Sequence, residues 1–280
     1  MVEIFNSITN IAKKIENDVF IGYENFTNST RTDKEVQTNI LEHCSKLIED
    51  EFKHDKSIKA LISKDKKELH YIDNKNGKYL ISYVSIDNIE LIDLNFSLGT
   101  IFGIYENSFE ATHLKAVVYI TYGPTFQIVF GSKTEGVKYF SFEDDEFIQQ
   151  DSLQLNEKGK INSTAGKANE FTTEHKELLD TFFNDGYRLR FSNSLALDTH
   201  QILFKKGGLY SAPATASNPD GCLDVIFEAF PIAFIIELAH GHAINKTQRI
   251  LNMRTPTFTQ KTPIYFGSVS EIKKVRELLS

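Results

Sequence analysis

Six short strand-like runs crowd the middle of the chain, over 59–63, 78–86, 100–105, 116–122, 126–130 and 137–142. Turn chemistry separates them, notably Asn74-Lys75-Asn76-Gly77, Gly123-Pro124 and Gly131-Ser132. A stretch with this rhythm builds a sheet, and a sheet needs other layers to cover it. The flanks supply them. Residues 3–16 carry Ile4, Ile8, Ile11 and Ile15 at helical spacing, and 34–53 carry Val36, Ile40, Leu41, Cys44, Leu47, Ile48 and Phe52. Downstream, Thr172 or Thr173 caps a predicted helix over 174–184 that Gly186 stops. A second helix is predicted over 194–205, ended by Gly207-Gly208, and a third over 223–239, with Pro231 near its start or at a kink. A strand at 263–267 then runs into Ser268-x-x-Glu271, read as a capping box for a last helix that buries Ile272, Val275 and Leu279. This order predicts layered α/β rather than a regular βαβ alternation. The composition shifts near 150–165, where Gln149-Gln150-Asp151 and Lys158-Gly159-Lys160 read as connectors; the expected halves are 1–155 and 156–280.

Composition narrows the partners. Hydrophobic residues are 41% of 280, enough for a sizeable core, and the formal charge is −7. That balance argues against nucleic acid or an anionic membrane as partner, since both need a dense basic surface. Cys44 and Cys222 alone make neither a disulfide framework nor a zinc set. The start lacks the pattern of a signal peptide, and no apolar run reaches the roughly 18 residues of a membrane span. The expected location is the cytoplasm. His240 and His242 flank Gly241 with no third ligand nearby and read as a loop at a helix end.

A collinear set of short motifs carries more information. In order they are GTIFGIY at 99–105, Tyr122-Gly123-Pro124, Lys158-Gly159-Lys160-Ile161, Tyr187-Arg188-Leu189-Arg190, Asp198-Thr199-His200, Gly207-Gly208, Pro219-Asp220-Gly221, Phe227-Glu228 and Phe266-Gly267-Ser268. Together they resemble the class 1 fructose-1,6-bisphosphatases over nearly the whole chain. The resemblance implies a layered αβαβα sugar-phosphatase fold in two halves and a homo-oligomer, tetramer or dimer. It also implies Mg²⁺-dependent removal of the 1-phosphate from fructose 1,6-bisphosphate, a step of gluconeogenesis.

The same resemblance assigns site residues, and here the chain departs from the pattern. Asp33 falls on the first of two expected aspartates, while Asn39 stands at the second. Lys64-Asp65 stands where a Glu-Glu pair is expected, and Val84-Ser85-Ile86-Asp87 where Asp-Pro-Leu-Asp is expected. Glu228 matches a glutamate near the C-terminus. Asp33 and Asp65 are thus the residual catalytic candidates, and Asp65, Asp87 and Glu228 the residual metal ligands, with Lys64 and Val84 replacing others. Mg²⁺ demands oxygen ligands. A lysine charge about 4 Å from a divalent ion opposes it by about 8 kcal/mol at an effective dielectric near 20. The expected Gly-Ser-Ser phosphate donors read Asn88, Ile89 and Glu90. Asn162 and Arg190 remain as binders of the 6-phosphate, but the other positions there read Ala165, Phe191, Ala212 and Cys222. A carboxylate inside an apolar run needs a partner, and Lys64 is the candidate for Glu228. The expectation is a pseudoenzyme or impaired homologue that binds a sugar phosphate or serves as partner subunit to an active paralogue. The alternative is an active Mg²⁺-dependent phosphatase with a site rebuilt from Asp33, Asp65, Asp87 and Glu228.

Overall fold

The computed structural model of the chain describes residues 1–27, 33–72 and 76–279. The isoleucine stripe of the N-terminus winds into α1 (Val2–Ile15), which buries Ile4, Ile8, Ile11 and Ile15. A π-helical turn at Glu16–Ile21 and the short α2 (Glu24–Thr27) lead to α3 (Asp33–Phe52), with Val36, Ile40, Cys44, Ile48 and Phe52 buried.

Eight strands follow: β1 (Ile58–Ser63), β2 (Leu69–Tyr71), β3 (Tyr79–Asp87), β4 (Leu98–Glu106), β5 (Leu114–Tyr122), β6 (Gln127–Ser132), β7 (Gly136–Glu143) and β8 (Glu146–Ser152). They form one sheet in the order β2-β1-β3-β4-β5-β6-β7-β8, antiparallel except for the β1–β3 pair. Gln149-Gln150-Asp151, read from the sequence as a connector, lies inside β8. This edge strand is polar because almost none of it is buried, so it shows no apolar alternation to read.

The second half contains β9 (Ile161–Thr164), α4 (Thr173–Asn184), β10 (Arg188–Leu189), α5 (Leu195–Phe204), β11 (Leu209–Ala212), β12 (Leu223–Asp224), α6 (Phe230–Leu238), β13 (His242–Ile244), β14 (Lys261–Thr262), β15 (Ile264–Gly267) and α7 (Val269–Leu279). A five-stranded sheet runs β10-β9-β11-β15-β13, and β12 pairs with β14. Thr172 caps α4 through the His175 N–H, and Ser194 caps α5 through the Leu197 N–H.

Two expectations are corrected. The helix predicted over 223–239 is divided into β12, a π-helical turn at Val225–Ala229, and α6. Pro231 has no N–H, so it cannot bond the Ile226 carbonyl five residues back. That carbonyl accepts instead from Ser82 Oγ at 2.9 Å and Tyr105 Oη at 2.8 Å. The capping box at Ser268 also does not close on itself. Glu271 Oε1 accepts the Gly159 N–H at 2.6 Å and the Tyr187 hydroxyl at 2.8 Å, pinning the loop before β9 to α7.

The layers follow from which faces are apolar. α1 and α3 cover one face of the large sheet, against Ile81, Tyr83, Phe102 and Val118. α5, α6 and the π-helical turn fill the space between the sheets, against Val84, Ile101, Val117 and Tyr119 on one side and Tyr210 and Phe266 on the other. α4 and α7 back the second sheet through Leu178, Phe182, Ile272 and Val275. The arrangement is αβαβα.

Candidate active site

Asp87 sits where β3 leaves the sheet. The β3–β4 register slips between Val84 and Asp87, and Thr100 Oγ1 donates to the released Ser85 carbonyl at 2.7 Å. This bulge turns Asp87 toward the start of α5, a position suited to a carboxylate because the first helical N–H groups are unpaired there. Asp87 Oδ2 accepts from Ser194 Oγ at 2.7 Å and from the Ala196 N–H at 2.8 Å. Asn88, at φ 54°, reverses the chain and donates its side-chain amide to the Asn193 carbonyl at 2.7 Å.

Lys64 follows directly after β1 and donates its N–H to the Tyr83 carbonyl. Its ammonium reaches Glu228 Oε1 at 2.7 Å, so the partnership anticipated for this buried carboxylate forms. The other oxygen, Oε2, accepts the Asp224 N–H at 2.8 Å, and Asp224 Oδ1 in turn accepts Lys67 Nζ at 2.6 Å. Burial raises the Glu228 carboxyl, and the adjacent Lys64 charge opposes that rise. For Lys64, burial works against the charge, but Glu228 and then Asp87 outweigh it and hold the ammonium above the ordinary lysine range. Asp65 lies beside them and accepts from Ser85 Oγ at 3.3 Å.

Lys64, Asp65, Asp87, Asn88 and Glu228 line one cleft of about 470 Å³, with Val84, Ile86, Ile89, Leu195 and Leu223 as apolar wall and Glu90 and Cys222 also lining it. It therefore brings together Lys64, Asp65, Val84, Asp87 and Glu228 from the sequence-derived set. The side chain of Asp33 lies outside the described residues. Asn162 and Arg190 are not among the lining residues. Asn162 is fully buried on β9 with neither side-chain polar atom partnered, and Thr164, two residues on and so on the same strand face, meets His175 of α4 at 3.1 Å. Arg190 Nη1 donates to the Leu189 carbonyl at 3.2 Å. Sequence reasoning missed the second ion pair, Lys67–Asp224, and the Ser194–Asp87 tie. Spacing carried a signal for the former: Asp224 precedes Glu228 by four residues, and Lys67 follows Lys64 by three.

The Mg²⁺ that the resemblance implies does not fit the cleft in this arrangement. Both Glu228 oxygens and Asp87 Oδ2 are already engaged by donors, Val84 offers no oxygen, and among the described residues no three His, Cys, Asp or Glu groups are placed to hold a metal ion.

Two family models match the chain. The N-terminal domain of fructose-1-6-bisphosphatase matches residues 1–151, and its C-terminal domain matches 155–280. The class 1 fructose-1,6-bisphosphatase of Campylobacter hominis is 38% identical over 279 residues, covering 99% of both chains. That of Helicobacter hepaticus is 38% identical over 253 residues, covering 90% of both. In fold, the chain is similar to the holo-form crystal structure of Leishmania major fructose-1,6-bisphosphatase, with a TM-score of 0.86 and 24% identity, covering 99% of this chain and 92% of that one. With matched motifs, layered fold and relatives aligned along nearly its full length, the chain belongs to the class 1 fructose-1,6-bisphosphatase family.

Proposed function

We propose that the cleft handles a phosphorylated sugar of the fructose 1,6-bisphosphate class, and that hydrolysis there is slow because the Lys64 ammonium holds Glu228. Kinship supports the first part: relatives named for this substrate align over 90% or more of the chain. A single observation supports the second, the 2.7 Å Lys64–Glu228 ion pair within the carboxylate set. A second reading is a working Mg²⁺-dependent 1-phosphatase using Asp33, Asp65, Asp87 and Glu228. Kinship favours it, because the aligned relatives carry the enzyme's name and nothing in them points to lost catalysis. In both readings the half 1–155 contributes Lys64, Asp65 and Asp87 and the half 156–280 contributes Glu228; of the two residues expected at the phosphate remote from the reaction, Arg190 remains the candidate, while Asn162 is buried on the α4 side of β9. Both also carry self-association as a dimer or tetramer in the cytoplasm, and the first carries pairing with an active paralogue as well. No described helix is long and apolar enough to cross a membrane.

Phosphate release from fructose 1,6-bisphosphate by the purified chain, with Mg²⁺ or Mn²⁺, separates the readings. Turnover of about 1 per second or more, ordinary for an enzyme, carries the second. Turnover below about a hundredth of that, raised by Lys64→Glu, carries the first.

A further inference from the structure

We infer that this cleft selects a sugar monophosphate over a sugar bisphosphate, admitting the hydroxyl-bearing end of the sugar and turning away a phosphate at that end. The inference rests on the sugar-phosphate reading above and names its ligand more closely.

It follows from the charges that line the cleft. Among the described residues that line it, Asp65, Asp87, Glu90 and Glu228 stand against one ammonium, that of Lys64. Lys64 is committed to Glu228 at 2.7 Å, and Lys67 nearby is committed to Asp224 at 2.6 Å. Among the described residues, Asp65, Asp87 and Glu90 form no ion pair. A phosphate monoester brings a further charge of about −1.5 to −2 at neutral pH. Set beside these carboxylates without a divalent ion, it would meet repulsion from like charge, and the one lining ammonium, Lys64, is already paired with Glu228. The residues after β3 add little attraction, since the Ile89 side chain is apolar and the Glu90 side chain is a further acceptor.

Sugar hydroxyls suit the same surroundings. Each supplies a proton to a carboxylate, and such charge-assisted hydrogen bonds are the strong ones. Val84, Ile86, Leu195 and Leu223 offer apolar surface to the C–H face of a sugar ring. A phosphate several carbons away, at the other end of the sugar, stays in water, where distance and the high dielectric weaken its repulsion by the acidic residues.

The test is calorimetric titration of the full chain, freed of metal with EDTA, using fructose 6-phosphate and fructose 1,6-bisphosphate at low salt. The monophosphate is expected to bind at least about tenfold more tightly, and Glu90→Gln, at an exposed position, is expected to narrow the gap. Equal or tighter binding of the bisphosphate overturns the inference, as does a gap that Glu90→Gln leaves unchanged. Binding of both sugars only when Mg²⁺ is present also overturns it, while leaving the sugar-phosphate reading intact. Binding of neither under either condition removes that reading as well.

Discussion

Glu228 is 2% exposed within an apolar run, and its two oxygens are matched by one ammonium and one backbone N–H. Removing one partner of such a pair leaves an uncompensated buried charge. Lys64→Met is therefore expected to destabilise the protein by about 2–3 kcal/mol, a figure set below the usual range because the lysine side chain is 30% exposed. Lys64→Met combined with Glu228→Gln should recover most of that loss, and urea midpoints for the single and double variants measure it. Recovery of nothing would mean that packing of the lysine stem, rather than charge, was lost. Asp198 makes the opposite case. Burial pushes its carboxyl up to about 7, against hydrogen bonds from Ser192 that favour the charged form. An acid whose folded pKa is raised contributes stability that is full below its ordinary value near 3.8 and is lost as pH rises to about 7. Asp198→Asn should remove this loss, so the variant gains on the parent by about 1–3 kcal/mol between pH 5 and pH 8 in chemical denaturation. His175 and His200, both lowered to about 4 by burial, titrate with the reverse sign: their contribution is present above 6.5 and lost as pH falls. Between about pH 4 and 6.5 the histidines and Asp198 thus act in opposite directions, and Asp198→Asn leaves the histidine loss in acid uncompensated.

Among the elements, β4 shows why GTIFGIY has glycines where it does. A Cβ on Gly99 would stand 2.5 Å from the Ala196 Cβ, at the α5 start that Asp87 holds through the Ala196 N–H. A Cβ on Gly103 would meet Ser82 Oγ at 2.7 Å and Pro231 Cγ at 3.3 Å. Gly99→Ala should thus push α5 off the sheet and cost about 1–3 kcal/mol by overpacking, read as a lower thermal midpoint together with weaker ligand binding at the cleft. Loss of stability with unchanged binding would show that the Asp87–α5 junction tolerates the shift. The parts of this architecture that rest on local rules were legible in the sequence. α1 and α3 declared themselves by isoleucine spacing, β1 and β3–β7 by their strand-like runs, and α4 and α5 by their caps. The parts set by distant partners were not. β8 carries no apolar alternation because almost none of it is buried, and Glu271 caps a loop 112 residues away rather than its own helix. Within the cleft, Lys64–Glu228 was legible because a buried acid requires a partner and both residues fall on metal positions of the family. Asp87 gave no sign that Ser194, 107 residues on, would hold it. The face on which Asn162 lies is likewise decided by strand pairing in β9, which composition does not reveal.

At the scale of the whole molecule, α6 is apolar over Phe230–Ile236 and polar only at Glu237 in its last turn, which pairs with Arg249. Phe230, Pro231, Ile232, Ala233, Phe234, Ile235 and Ile236 are all buried, and a segment apolar all round must be covered on every side. The large sheet β1–β8 covers it on one side and the second sheet on the other, so neither sheet closes this core alone. Polar ties cross between residues 1–155 and 156–280, from Lys64 to Glu228, Lys67 to Asp224, Ser194 to Asp87, and Ser82 and Tyr105 to the Ile226 carbonyl. Cutting the chain between the halves would return each large α6 side chain to water at about 1.5–3 kcal/mol apiece. The full chain is therefore expected to unfold in one transition, coincident by far-ultraviolet and tyrosine circular dichroism, and residues 156–280 expressed alone are expected to aggregate or remain unfolded. Two separated transitions, or a folded isolated half, would contradict the shared core. Because both walls of the cleft depend on that core, a cleft ligand should raise the midpoint of the single transition as a whole, in proportion to the logarithm of its concentration above Kd.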